Sequence, residues 1–251
     1  MTELSSPTVS PDGRTIRILS YNVHSCVGTD RKLDVGRVAD MIAALEPDVI
    51  GLQELDVGRR RSGGVDQAEE IARRLKMDFH FHPALKLEEE LYGDALLTAF
   101  PMRLVKSAAL PSIGEPRGAL WTMIEVAGKK LQVFNTHLGL LRRDRLRQAA
   151  ALTGEDWLTH PELEGKPVVL IGDFNSIPSS APYRMILERL SDARRQTGRL
   201  AAPTFPARWP ILRLDHVFVG GGPQIVNAEA VSTPAARRAS DHLPLLVTVK
   251  L

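Results

Sequence analysis

Val168-Val169-Leu170-Ile171-Gly172-Asp173-Phe174-Asn175 begins as a buried strand and ends in polar side chains. Four apolar residues, three of them β-branched, form too short a run for a helix and read as a strand inside a core. Gly172 closes the run, and a carboxylate and an amide follow. The same pattern recurs along the chain. Residues 16–21 are apolar-rich and end in Tyr21-Asn22-Val23-His24; residues 48–53 end in Gln53-Glu54; residues 130–135 end in Asn135-Thr136-His137. Ser240-Asp241-His242 precedes a last apolar strand at 245–249. Strand ends in a packed sheet share a rim, and loops at such rims commonly host chemistry.

Between these strands the spacing turns helical. Val35, Val38, Ile42 and Leu45 follow Asp34, which is placed as a cap, and Pro47 lies just past the end. Asp66 and Glu69 form a capping-box pattern ahead of Ile71, Ala72 and Leu75. Residues 143–157 predict another helix, and Ser180 with Pro182 opens one more. The middle reads as short strands over 95–98, 104–110, 120–126 and 130–135, with Ala127-Gly128 as a hairpin turn. Strands return over 215–219 and 225–231. No repeat, low-complexity tract or linker interrupts this order. It predicts one α/β domain over 15–251, with two mixed β-sheets packed face to face and helices outside. Residues 1–14, rich in Ser, Pro and Thr up to Gly13, are expected to form a flexible leader.

At 251 residues, 43% hydrophobic and 25% charged, the chain has the composition of a globular protein with one large core. No apolar run reaches the length that spans a bilayer, and the N-terminus lacks the pattern of a secretory signal. Cys26 is the only cysteine, so no internal disulfide forms, which fits a cytoplasmic location. The net charge of +2 does not announce a nucleic-acid binder. Arginine is clustered, however, at Arg59-Arg60-Arg61, at Arg142, Arg143, Arg145 and Arg147, and at Arg237-Arg238.

A single Asn or Asp after a strand is ordinarily a turn residue, and a single His is ordinarily structural. Five strand ends that combine carboxylates, amides and imidazoles make a parts list for phosphoryl hydrolysis. Glu54, Asp241 and Asn22 offer hard oxygen donors suited to Mg²⁺ or Mn²⁺, and no Cys/His cluster of the kind zinc takes is present. Asp173 is placed to orient or deprotonate a water, Asn175 to donate a hydrogen bond without adding charge, and His137 and His242 to hold phosphate oxygens. Other chemistries lack their parts. Cys26 has no reactive context in its segment, no Walker loop occurs, and Gly220-Gly221-Gly222 reads as a surface turn.

Taken in order, Ser20-Tyr21-Asn22-Val23, Leu52-Gln53-Glu54, Asn135-Thr136-His137-Leu138, Gly172-Asp173-Phe174-Asn175, Leu214-Asp215-His216 and Ser240-Asp241-His242 resemble the signature segments of the endonuclease/exonuclease/phosphatase (DNase I-like) family. Tyr92-Gly93-Asp94-Ala95-Leu96-Leu97 and Glu115-Pro116-Arg117-Gly118-Ala119-Leu120 resemble segments common in its bacterial members. The resemblance runs from about Ile16 to the C-terminus. It implies a four-layer α/β sandwich and a single catalytic domain with its site at one rim. It further implies Glu54 as principal ligand of one or two Mg²⁺ or Mn²⁺ ions, with Asn22 and Asp241 completing the metal site. Asp173 would activate the water with support from Asn175, His242 would contact the scissile phosphate under the orientation of Asp215, and His137 would bond a phosphate oxygen. Arg117 and Arg147 are weaker candidates for substrate contacts, as are Tyr92 and Asp94. Asp94 departs from the pattern, since similar sequences often carry Asn there; a carboxylate repels an anionic substrate unless it faces a metal or a base.

The family's chemistry does not fix the substrate. The arginine clusters favour a nucleic-acid phosphodiester, against an aromatic content of only 5% that leaves few stacking platforms. The alternatives are a phospholipid, as in sphingomyelinases, and a small phosphoester such as an inositol phosphate. Residues 205–211, Phe-Pro-Ala-Arg-Trp-Pro-Ile, are expected to border the site because they precede Asp215; the simpler reading is a Pro-rich connection packing aromatics on the core. A non-catalytic binding protein would be expected to lack Glu54, Asp173 or His242, and all three are present. A monomer without an obligate protein partner is expected.

Overall fold

A computed structural model describes residues 14–197 and 202–251, so of the leader expected over residues 1–14 all but Arg14 lies outside the described residues. In chain order the elements are β1 (Thr15–Asn22), α1 (Val35–Ala43), β2 (Val49–Val57), α2 (Gln67–Leu75), β3 (Asp78–Leu87) and β4 (Glu90–Thr98). Next come β5 (Met102–Leu110), β6 (Arg117–Val126), β7 (Lys129–His137), α3 (Arg142–Leu152), β8 (Val168–Asp173) and α4 (Ala181–Leu187). The chain closes with β9 (Ser191–Asp192), α5 (Ala193–Gln196), β10 (Asp215–Gly220), β11 (Gln224–Ala230), α6 (Pro234–Ala239) and β12 (Leu245–Lys250).

The strands form two six-stranded mixed sheets, ordered β11-β12-β1-β2-β4-β3 and β5-β6-β7-β8-β10-β9. Each contains one parallel pair, β1 with β2 and β7 with β8, flanked by antiparallel partners. Ile16, Ile18, Val49, Leu96, Val133, Val169, Ile171 and Val217 pack together between the sheets. The alternate residues Leu19, Tyr21, Ile50 and Leu52 pack outward with residues of α1, α2 and α6, and Phe134, Leu170 and Phe218 pack outward with residues of α4. Helices, sheet, sheet and helices therefore make the four layers expected.

Strand periodicity explains where the polar ends go. Side chains two apart share a face, so Ile16, Ile18, Ser20 and Asn22 form one inward row, and Val133, Asn135 and His137 another. Val169, Ile171 and Asp173 make a third. The apolar part of each row fills the inter-sheet core, and its last member emerges polar at the rim. Before the rim, buried amides tie the sheets together: Gln53 Nε2 donates to Asn135 Oδ1 at 2.7 Å, and Asn135 Nδ2 donates to the carbonyls of Leu52 and Ala95.

Several elements differ from expectation. β3 is an edge strand concealed by Pro83 and its mixed polar residues, both of which an edge tolerates. β2 continues beyond Glu54 to Val57, because the strand carries a bulge there instead of ending. α3 stops at Leu152, short of Trp157. Asp34 and Asp66 cap α1 and α2 through side-chain oxygens, whereas Ser180 occupies the cap position of α4 with no side-chain bond. The six-residue α6, with Pro234 at its start, is too short for its spacing to announce it.

Candidate active site

The bulge in β2 builds the acidic side of the site. Leu52 pairs with Ala95 and Leu55 with Gly93, so Gln53 and Glu54 together face the single residue Asp94. Gln53 keeps the inward phase of Gly51, and a regular strand would turn Glu54 outward with Leu52. Instead Glu54 takes a left-handed φ of 63°. Its carboxylate meets Asn22, whose Nδ2 donates to Glu54 Oε1 at 2.8 Å and to Asp173 Oδ2 at 3.0 Å. Asn22 Oδ1 accepts the His24 backbone N–H at 3.0 Å, so Asn22 serves here as the spacer between two carboxylates.

Asp173 is the hub. Its Oδ1 accepts the backbone N–H of Asn175 at 2.9 Å, while Oδ2 lies 3.6 Å from Nε2 of both His137 and His242. Burial lifts its pKa to about 6; the positive His242 works against this rise and the negative Asp215 adds to it. His242 Nδ1 lies 2.9 Å from Asp215 Oδ2. Burial alone would depress the imidazole, but Asp215 and Asp173 outweigh it and hold the pKa at about 10, so His242 is a cation at neutral pH. Burial alone would likewise raise Asp215, but the His242 charge and its hydrogen bond overcome that cost and hold the carboxyl below its usual range.

His137 behaves differently. Burial, with the charges of Arg117 and His242, drives its pKa well below the usual value and leaves it neutral. Asn175 Nδ2 meets its Nε2 at 3.0 Å and also donates to the Leu138 carbonyl at 2.9 Å. With the amide nitrogen donating, His137 accepts and buttresses Asn175.

Asp241 lies one step out, its Oδ1 3.9 Å from His24 Nδ1 and 3.4 Å from Ser240 Oγ. Arg117 and Asp94 are buried close by; Asp94 Oδ1 is 3.4 Å from the Glu54 backbone N–H, and Arg117 pairs with Glu115. Burial raises the Asp94 pKa to about 7 against the pull of Arg117. Tyr92 shares the inward phase of Asp94. Arg147 is exposed on α3, and its side chain makes no hydrogen bond or ion pair among the described residues. The loop after Phe205 does border the site: the Phe205 ring lies 4.7 Å from that of His242, and Ala207 N–H donates to the Asp241 carbonyl. Sequence reasoning missed this ring contact and a cleft beside Glu54, since neither has a motif.

Two groups of possible ligand atoms, Glu54/His137/Asp173 and Asp173/Asp215/His242, each lie within 4.8 Å of one another. Among the described residues no Lys or Arg nitrogen lies within 4.0 Å of the carboxylates of Glu54, Asp173 or Asp241. Glu54 and Asp173 thus converge through one neutral amide with no Lys or Arg between them, a donor set that fits a hard divalent ion. Cys26 is buried and its pKa is pushed up by that burial, so no thiolate competes.

The model of the endonuclease/exonuclease/phosphatase family matches residues 19–242. The chain belongs to this family. Among its relatives, the uncharacterized protein YbhP of Escherichia coli (strain K12) is 28% identical, over 94% of this chain and 97% of that protein. An endonuclease/exonuclease/phosphatase structure from Beutenbergia cavernae DSM 12333 is similar at a TM-score of 0.76 and 25% identity, covering 95% of this chain and 72% of that one. A mannosyl-6-phosphatase from Bacteroides thetaiotaomicron VPI-5482 shares the fold at a TM-score of 0.75 and 19% identity, over 94% and 100% of the two chains. The family match places the six motifs in a domain whose two packed sheets the neighbours share.

Proposed function

We propose that this protein is a divalent-metal-dependent phosphodiesterase that hydrolyses nucleic-acid phosphodiester bonds. The observation that supports the reaction is Asp173: one buried carboxylate, held by Asn22 and by the Asn175 backbone N–H and facing His242. A carboxylate fixed in this way is placed to take a proton from water. As the water oxygen bonds to phosphorus, its proton passes to Asp173 and the P–O bond to the leaving group breaks. His242, with Nδ1 held by Asp215, directs its other N–H at a non-bridging oxygen, where negative charge accumulates. A divalent ion would be held by Glu54, with Asp173 beside it, and would neutralise charge on the phosphate and leaving oxygen.

The nucleic-acid substrate rests on the basic surface: Arg142, Arg143 and Arg147 are exposed on α3, which follows the His137 strand closely, and Arg60 is exposed after the Glu54 strand. A second reading has its own observation. Trp209 and Ile211 are 79% and 76% exposed on the loop that touches His242, and Leu140, just after His137, is 74% exposed. Apolar groups on both flanks suit a phospholipid.

A panel with Mg²⁺ or Mn²⁺ separates these: duplex and single-stranded DNA, RNA, a bis-aryl phosphodiester, phospholipid vesicles and inositol phosphates. Asp173→Asn is expected to lower kcat by about 10²–10⁴-fold on whichever substrate turns over. Equal activity of that variant would refute the role of Asp173, and turnover of lipid without nucleic acid would reverse the substrate order.

A further inference from the structure

Beside Glu54 the surface opens into a cleft of about 370 Å³, lined among others by Ser25, Arg59, Arg61, Tyr92 and Glu115. Its size is at the small end of ligand sites. The proposed hydrolysis makes no use of it, yet Glu54 stands on its wall.

Arg61 is held in this cleft on three sides. Its Nε and Nη2 form a two-pronged ion pair with Asp56, at 2.8 and 2.7 Å, and Asp56 is completely buried. Nη2 also reaches Ser25 Oγ at 3.1 Å, and the guanidinium carbon lies 5.4 Å from the centre of the Tyr92 ring. The anchors are themselves fixed: Gln67 accepts the Asp56 N–H and donates to the Ser25 carbonyl. Nη1 alone has no hydrogen-bond partner among the described residues, and the side chain is 52% exposed. A purely structural arginine serving Asp56 would not need this open edge at the cleft wall. The fork geometry of a guanidinium makes such an edge a ready donor to an oxyanion.

The remaining charges leave room for an anion. Glu115 pairs with Arg117, Asp56 is neutralised by Arg61, and Arg59 lies between Asp56 at 3.9 Å and Glu90 at 3.5 Å. Among the described residues, Glu54 is the one wall carboxylate without an arginine partner, and it is the group that would hold the metal.

We propose that this cleft is a subsite for a second oxyanion of the substrate, distinct from the scissile phosphate, and that Arg61 is its specificity-determining residue. In a nucleic acid that oxyanion is the next phosphate along the strand; in a small phosphoester it is a second phosphate or carboxylate. The inference rests on the hydrolase reading of the Glu54 centre, so its test has an arm free of turnover.

Inorganic phosphate is titrated calorimetrically in EDTA into Glu54→Gln protein, which removes the wall charge and the metal, with Arg61 intact or replaced. Arg61→Gln is expected to weaken phosphate binding about tenfold or more, the scale of a charge-assisted hydrogen bond, with Arg61→Lys between. Melting curves establish that each variant is folded, Arg61→Lys keeping a charge for Asp56 where Arg61→Gln does not. Unchanged affinity, or no saturable binding before substitution, overturns the proposal. In the second arm, kcat/KM with Mg²⁺ is compared between the dinucleotides TpT, pTpT and TpTp. A terminal phosphate should raise kcat/KM in the unmodified enzyme, and Arg61→Gln should abolish that advantage while changing TpT little. An equal loss on all three overturns it, because Arg61 would then act only through Asp56 and Ser25. Phosphate binding that depends on Arg61, without cleavage of any dinucleotide, would support the subsite with a small phosphoester as its source and defeat the nucleic-acid reading.

Discussion

His242 and Asp215 show how much a single contact can determine. Both are buried, and the proton is held because the two groups stabilise each other's charge. The folded pKa of His242, about 10, exceeds its unfolded value near 6.5. Its contribution to stability is therefore complete below about 6.5 and is lost as the pH climbs through 10. Asp215, depressed on folding, contributes above its unfolded value and loses that contribution as acid protonates it. Asp173 runs the other way: its raised pKa costs stability as it ionises between its unfolded value and about 6. In EDTA, the melting temperature is expected to fall between about pH 7 and pH 10 more steeply in the wild type than in His242→Gln. In unfolding free energy, the corresponding difference in slope is bounded by one proton, about 1.4 kcal/mol per pH unit. Parallel curves would mean that His242 is not held as a cation in the fold.

At the level of elements, the site is made by where strands stop and where one of them is irregular. Gly172 pairs with Thr136 across the parallel β7–β8 ladder, and a Cβ there would collide with the Thr136 carbonyl oxygen. Gly172→Ala must push the two strands apart just where they deliver His137 and Asp173. A destabilisation of about 1–3 kcal/mol is expected from such overpacking, with loss of activity, read by chemical denaturation and turnover. Asp94 acts on the opposite sheet by facing the Glu54 N–H at the bulge. Asp94→Ala should free that turn and weaken Mn²⁺ binding by about 10–100-fold, as loss of a ligand's supporting contact commonly does. Titration of Mn²⁺ followed by electron paramagnetic resonance checks this. These elements also mark what a sequence can and cannot disclose. The inward rows ending in Asn22, His137 and Asp173 are legible because strand periodicity is local. The bulge that turns Glu54 inward is not, because it depends on the register between β2 and β4. For the same reason the roles of Asn22 as spacer and His137 as acceptor are invisible in sequence: each depends on which neighbour takes the amide nitrogen. β3 is hidden by its edge position, which relaxes the demand for an apolar pattern.

Across the whole molecule, the two parallel pairs β1–β2 and β7–β8 lie one in each sheet, and their C-terminal ends meet at the same rim. One sheet supplies Asn22 and Glu54, the other His137 and Asp173. The inter-sheet core holds these ends together, so Glu54 and Asp173 from different sheets converge on Asn22 with, among the described residues, no Lys or Arg between them. A divalent ion held at this junction would bind the folded state alone. Ligand binding of that kind stabilises by mass action, about 2.7 kcal/mol at a hundredfold excess over Kd. Adding Mg²⁺ to EDTA-treated protein is therefore expected to raise the melting temperature by several degrees in a saturable way, and Glu54→Gln should remove most of the gain. Arg61→Lys, which alters the neighbouring cleft and no metal ligand, should keep it. Scanning calorimetry across a Mg²⁺ series decides the matter: a rise of the same size in Glu54→Gln would mean that the ion stabilises the protein from somewhere other than the junction of the two sheets.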